Sequence, residues 1–372
     1  MPHREDERKR RRLGQVLRVV VSLGLAAAIF TYVLGSAADF SEVRAAISSM
    51  TGVELATLGL AALWNLVTYW MVVVAATPGL TYGQAMVLVE STTAVANAVP
   101  GGSAVAVGLT YGMLGSWGFS RSRSTLSVIV SGLWNNFAKL GLPVLALALL
   151  ALQGDTGAGR VTAGLLGIAA LVGCVTLFAL ALRKEEFARR AGDAAARTMS
   201  RVRARLGKDP VEGWGHACAK FRGRTIGLVS EAWKRLTVAT VVSHLSLYLV
   251  LLLALRHIGL AEDEVRWTEV LAAFAFVRLL TAIPITPGGL GVVELGLIAA
   301  LTTAGGEEAE VVGAVLIFRG LTYLLPIPLG LATYLFWRRN SSWRNSAPPA
   351  ANRPRGRRDS HRSGPEFLRS PP

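Results

Sequence analysis

The chain has 372 residues, a formal net charge of +15, and 52% hydrophobic against 17% charged residues, with a mean hydropathy of +0.44. A soluble domain carries roughly 25% charged residues, so the basic excess does not mark a soluble nucleic-acid binder. The apolar content excludes bulk disorder, and only two cysteines, Cys174 and Cys218, exclude a disulfide scaffold.

What remains is an all-α polytopic integral membrane protein with basic segments outside the bilayer. A bilayer-crossing helix needs about 20 mostly apolar residues. In chain order, residues 1–12 form a basic amino-terminal segment, and Leu13–Leu34 is the first expected span. Its apolar run exceeds the roughly 7–15 residues of a signal-peptide core, which favours an uncleaved helix. Val53–Ala76 follows. Gly83–Trp117 is apolar but broken at Val99-Pro100-Gly101-Gly102-Ser103. Proline blocks helix continuation and glycine permits a tight turn, so this region reads as a hairpin of two short or re-entrant helices. Thr125–Leu152 and Val161–Leu182 complete a first membrane region, 13–182.

Residues 183–235 are basic. Within them Glu186–Leu206 carries apolar residues at helical spacing, and Phe221–Leu236 is a second helical candidate. The pair suits adsorption to anionic headgroups or a solvated connector equally. The second membrane region, 236–337, opens with the span Leu236–Ile258. It continues with a second hairpin, Trp267–Ala304, broken at Ile285-Thr286-Pro287-Gly288-Gly289, and ends with the span Val311–Trp337. Residues 338–372 read as a disordered basic tail. The expectation is thus six full spans and two Pro-Gly-Gly-broken hairpins.

Lysine and arginine mark the cytoplasmic side. Starting inside, the basic 183–235 segment and the tail return to the cytoplasm, and the acidic Glu262–Glu264 and Glu307–Glu310 stretches fall outside. On these boundaries the cytoplasmic, external and membrane segments carry about +21, −7 and +1. A unit of helix, hairpin and helix therefore occurs twice, entered from opposite sides. This inverted-topology internal repeat with broken helices is typical of secondary transporters, although duplication into a close-packed scaffold gives the same pattern.

Away from their ends, the apolar stretches retain few charges: Glu90, Lys139, Arg278, Glu294 and Arg319. Each costs at least about 2.5–3.5 kcal/mol at the bilayer centre, so such residues face a bundle interior and pair. One reading is a polar cavity in which Arg278, Arg319 and Lys139 hold a phosphate and Glu90 or Glu294 takes an amine. The other is a set of ion pairs that lock the hairpins. Asn135 and Asn136 add polar groups near Lys139, and His244 reads as a packing or hydrogen-bonding residue. Gly288-Gly289-Leu290-Gly291 is no nucleotide loop, because it lacks a preceding strand and a Lys-Ser/Thr pair. No metal, cofactor or catalytic residue is expected.

The Asn97-Ala98-Val99-Pro100-Gly101-Gly102 turn and the stretch from Ile283 to Glu294, with Pro287-Gly288-Gly289 at its centre, resemble the lysylphosphatidylglycerol synthase transmembrane-domain family. The resemblance covers roughly Leu13–Trp337. In the multiple peptide resistance factor of that family this region is joined to a cytosolic aminoacyl-transferase and is implicated in moving aminoacylated phosphatidylglycerol between leaflets. No such transferase is expected here, since only a tail follows Trp337. The resemblance implies a flippase-like membrane protein with a cavity role for Pro287, Gly288, Gly289 and Glu294, and Asn97, Gly101 and Gly102 at the first hairpin tip are further candidate substrate-binding residues. It implies membrane phospholipids, and a separately encoded lipid synthase, as partners, with no nucleic acid. Both termini are expected in the cytoplasm and the protein in the plasma membrane. A membrane-embedded glycosyl- or aminoacyl-transferase component, or a non-catalytic partner of a synthase, is the alternative.

Overall fold

The structure, a computed structural model, describes residues 48, 50–99, 101–153, 158–183, 185–204, 209, 213–282 and 286–344. The expected amino-terminal segment and first span Leu13–Leu34, Pro100, the stretch Ile283–Ile285 and the tail from residue 345 lie outside these residues. Among the described residues all regular structure is helical. The first membrane region contributes α1 (Gly52–Ala76), α2 (Tyr82–Ala98), α3 (Gly102–Ser116), α4 (Arg121–Leu152) and α5 (Ala158–Arg183). Next come α6 (Glu185–Ala204), α7 (Trp214–Ile258) and α8 (Trp267–Leu280). A 3-10 turn (Pro287–Gly289) precedes α9 (Val292–Thr303) and α10 (Glu308–Arg319). A π turn (Gly320–Leu324) then leads to α11 (Pro326–Arg339) and a short α12 (Ser341–Arg344).

Local chemistry explains the helix starts. Thr51 and Glu54 form a reciprocal capping box on α1, and Thr81 and Gln84 form another on α2. Each box satisfies amides that a helix start leaves without partners. The Ser120 hydroxyl accepts from the Arg123 amide at the start of α4.

Four helical runs among the described residues are long and apolar enough to cross a bilayer: α1, α4, α7 and the combined run Glu308–Arg339. They contain four of the expected spans. Val161–Leu182 lies in α5, whose strongly apolar part is the shorter Gly164–Leu180. Leu165, Leu166 and Leu177 of α5 are exposed, a face that suits lipid rather than water.

Three boundaries differ from the sequence expectation. Arg338 and Arg339, read as the start of a disordered tail, end α11, and Ser341–Arg344 forms α12, because the helix continues while its amides find carbonyls one turn back. Phe221–Leu236 and Leu236–Ile258 are one helix, because no proline separates them and a change from charged to apolar side chains does not interrupt backbone hydrogen bonding. The last span is not one regular helix. Pro326 has no amide to return to the Thr322 carbonyl, and the Leu325 amide instead reaches the Gly320 carbonyl at 2.9 Å, five residues back.

The hairpin arms α2, α3, α8 and α9 have 17, 15, 14 and 12 residues. At 1.5 Å per residue each is about 18–26 Å long, short of a hydrocarbon core about 30 Å thick. The hairpins do not pack on their own flanking helices alone. The first hairpin's α2 lies along α11 of the second region, the second hairpin's α8 lies along α4 of the first, and α1 packs along α7. The main core joins Leu251, Leu255, Phe274, Leu297 and Val315, drawn from α7 to α10. A second core sets Trp117, Met113 and Leu88 of the first hairpin against Trp337 and Trp343.

The α2–α11 contact depends on Gly330, where a Cβ would collide with the Glu90 carbonyl oxygen and the Ala94 methyl group. Replacement by Leu forces the helices apart. Gly330→Leu should lower stability by at least about 1–3 kcal/mol in detergent unfolding, whereas Gly108→Ala in α3, with nothing within 4 Å of its new Cβ, should leave it unchanged or slightly raised.

Candidate functional site

The broken ends of the two hairpins meet at the π turn. Asn97 ends the inner part of α2, and Gly101, at φ 65°, turns the chain into α3. The Tyr323 hydroxyl donates to the Asn97 carbonyl at 2.8 Å, and the Asn97 amide nitrogen donates back to the Tyr323 carbonyl at 3.1 Å. Gly288 of the second hairpin presses on the same pair. It has φ 57°, and a Cβ there would strike the Tyr323 ring and lie 2.9 Å from Asn97 Oδ1. Only glycine meets both demands. The π turn matters here because it displaces Tyr323 from regular helical register at the point of contact.

Arg319 ties this junction to the second hairpin. Its Nε donates to Glu294 Oε1 at 2.6 Å, its Nη2 donates to the Gly288 carbonyl at 3.2 Å, and its guanidinium lies 4.3 Å from the Tyr323 ring centre. Both ionic side chains are buried. An ion pair at this depth is strongly destabilised by loss of one partner, because an uncompensated charge remains.

Below the junction is a cavity of about 310 Å³. Lys139 of α4 and Arg278 of α8 project into it, on the two helices that carry the second hairpin against the first region. Lys139 Nζ donates to the Thr281 carbonyl at 3.4 Å. Pro143, one turn further along α4, offers no amide to the Lys139 carbonyl, so the backbone is also polar here. Arg278 Nε is buried without a hydrogen-bond partner, and Arg278 lies within electrostatic range of Lys139 and His244. Among the described residues neither Lys139 nor Arg278 makes an ion pair. Glu90, on another wall, accepts from Trp70 Nε1 at 2.7 Å through Oε1, while its buried Oε2 has no partner. Two cations with spare donors and one carboxylate with a spare acceptor therefore face one cavity. Such a space can hold an anion, and a cationic group beside it.

The structure brings Glu90, Asn97, Lys139, Arg278, Gly288, Gly289 and Arg319 onto the wall of this one cavity. Glu294 stands behind Arg319 and does not line it. Gly101 and Gly102 form the outer turn of the first hairpin and do not line it either, and Pro287 begins the 3-10 turn beside it. Asn135 and Asn136 are not on the wall. His244 is buried, with Nδ1 bonded to the Thr240 carbonyl at 3.0 Å and Nε2 unpartnered. Tyr69, Thr281, Thr286 and Tyr323 line the cavity without having been expected there. For Tyr323 and Lys139 a signal existed: a proline lies within four residues downstream of each, where backbone bonding must rearrange.

Glu294→Gln or Arg319→Met should each cost about 3–5 kcal/mol of stability in detergent unfolding. The double variant Glu294→Met with Arg319→Met should recover much of that loss, because no unpaired charge remains.

A search among curated proteins finds no match. A family model does match, over residues 15–330, and its description is lysylphosphatidylglycerol synthase TM region. The match includes both hairpins and the whole cavity wall. The chain is an integral membrane protein, and it belongs to the lysylphosphatidylglycerol synthase TM region family.

Proposed function

We propose that the protein moves an anionic or aminoacylated phospholipid, of the lysylphosphatidylglycerol type, between the leaflets of the plasma membrane. The observation that carries this reading is the Lys139–Arg278 pair, two cations in one cavity at the broken hairpins without a carboxylate partner among the described residues. Like charges held close in a low-dielectric setting favour an anion between them. A headgroup phosphate supplies that charge, and the guanidinium and ammonium supply strong charge-assisted hydrogen bonds. Arg319 is engaged by Glu294 and maintains the cavity roof. The free Glu90 oxygen suits the ammonium of an aminoacyl headgroup. The acyl chains remain in lipid while the headgroup passes, which spares its charge the cost of crossing hydrocarbon.

The packing supports an inverted repeat as the basis of this movement. Each hairpin leans on the final helix of the other unit, so rocking one unit against the other changes the side on which the cavity opens. In this arrangement the basic α6 and the first half of α7 lie in the cytoplasm with both termini, and the α9–α10 connection lies outside. Membrane phospholipids are the partners, with a separate lipid synthase as their source.

Reconstituted leaflet exchange with headgroup-labelled phosphatidylglycerol and its lysyl ester tests the reading. Lys139→Gln and Arg278→Gln should each slow exchange by about 10- to 100-fold, the worth of a charge-assisted hydrogen bond, with thermal stability retained. Exchange at the parent rate by the double variant would sink the phosphate assignment. Absence of exchange by the parent with every lipid would favour a transferase component or a synthase partner. Orientation is checked separately in a background lacking Cys174 and Cys218. A cysteine at Arg197 should be labelled from the cytoplasm and one at Glu308 from outside; the reverse pattern would overturn the topology.

A further inference from the structure

A second cavity, of about 340 Å³, lies between α1, α2, α3 and α4 within the first unit. Val89, Thr93 and Ser103 line both this space and the charged cavity, so the two are neighbours with a shared wall. Their chemistry differs sharply. The second carries no ionisable side chain. Its polar lining is six hydroxyls, Thr92, Thr93, Ser103, Thr110, Ser127 and Ser131, set among valine, leucine and alanine.

The state of those hydroxyls indicates what they bind. Thr92, Thr110 and Ser131 donate their own hydrogens to the Leu88, Ala106 and Val128 carbonyls at 2.7, 2.9 and 3.3 Å. Their oxygens therefore face outward chiefly as acceptors. Thr93 and Ser103 have no hydrogen-bond partner among the described residues and can turn to donate or accept. A phosphate needs charged or numerous donors, and an ammonium buried here needs a carboxylate; neither is on this wall. Ser127 is already bonded to the Thr77 hydroxyl at 2.6 Å, and a neutral polyol, with hydroxyls that donate and accept in pairs, matches the other five groups. The volume lies in the range of roughly 300–1,000 Å³ typical of small-molecule sites. Ser131 and Lys139 are eight residues apart on α4, about 12 Å along its axis, a distance that a lysine side chain and one headgroup bridge.

We propose that this hydroxyl-lined cavity is a subsite for an uncharged polyol, glycerol or a sugar, attached to the phosphate held by Lys139 and Arg278. The inference rests on the phosphate assignment above and narrows the substrate to phosphodiesters that bear a neutral polyol.

Binding of short-chain lipids to the purified full-length protein in detergent tests it. Phosphatidic acid probes the phosphate site alone. Phosphatidylglycerol and a hexosyl phosphate ester of the same chain length add the two candidate polyols, and phosphatidylethanolamine adds a charged group in their place. At least one polyol lipid should bind about tenfold tighter than phosphatidic acid, the worth of one or two neutral hydrogen bonds, and phosphatidylethanolamine should gain nothing. Whichever polyol lipid gains identifies the source. Thr110→Val with Ser131→Ala should erase that gain and leave phosphatidic acid affinity intact, which also shows that the variant is folded. Equal binding of all four lipids by the parent, or a gain that survives the double variant, overturns the polyol subsite alone. Binding of none, or phosphatidic acid binding unaffected by Lys139→Gln with Arg278→Gln, overturns the phosphate assignment and this inference together.

Discussion

The buried ion pair between Arg319 and Glu294 organises the centre of this protein. Glu294 opens the second arm of the second hairpin, and Arg319 ends α10 just before the π turn. Their attraction draws the hairpin onto the last span. The same guanidinium holds the Gly288 carbonyl and lies over Tyr323, whose hydroxyl and carbonyl are bonded to Asn97 of the first hairpin. One cation thereby links both broken helices. In hydrocarbon such a pair has no water to compete for its partners, so the geometry around it is strongly specified.

That arrangement gives different roles to two cations in corresponding positions of the two units. Lys139 and Arg319 each lie in the helix that follows a hairpin. Arg319 is neutralised by Glu294, the third residue of α9, whereas Lys139 meets a backbone carbonyl and a second cation, Arg278. The first helps to hold the roof, and the second faces the cavity. The two cations thus differ in surroundings: one is neutralised within the protein and the other lines the cavity.

Much of this was legible in the residues. Hydropathy and Pro-Gly-Gly breaks located the hairpins, since proline and paired glycines interrupt helices wherever they occur. Four of the five intramembrane charges, Glu90, Lys139, Arg278 and Arg319, lie on the cavity wall, because a charge that is expensive in lipid turns inward. The continuity of α7 and the irregular course of the last span were less visible. A helix does not stop where its environment changes, and a π turn is settled by which carbonyl the next amide can reach. Tyr69 and Tyr323 were also obscured, because a tyrosine in an apolar run reads the same whether it faces lipid, core or cavity.

By itself, then, the sequence determined that the chain is a helical membrane protein with two interrupted hairpins and a few costly internal charges; these follow from composition and local backbone chemistry. Only the tertiary structure decided which charge pairs with which. It set Glu294 against Arg319, left Lys139 and Arg278 facing one cavity, and placed a neutral hydroxyl-lined space beside them. Pairing depends on distances between helices far apart in the chain, and those distances are fixed by close approaches such as Gly330 on Glu90 and Gly288 on Tyr323, which no local pattern encodes.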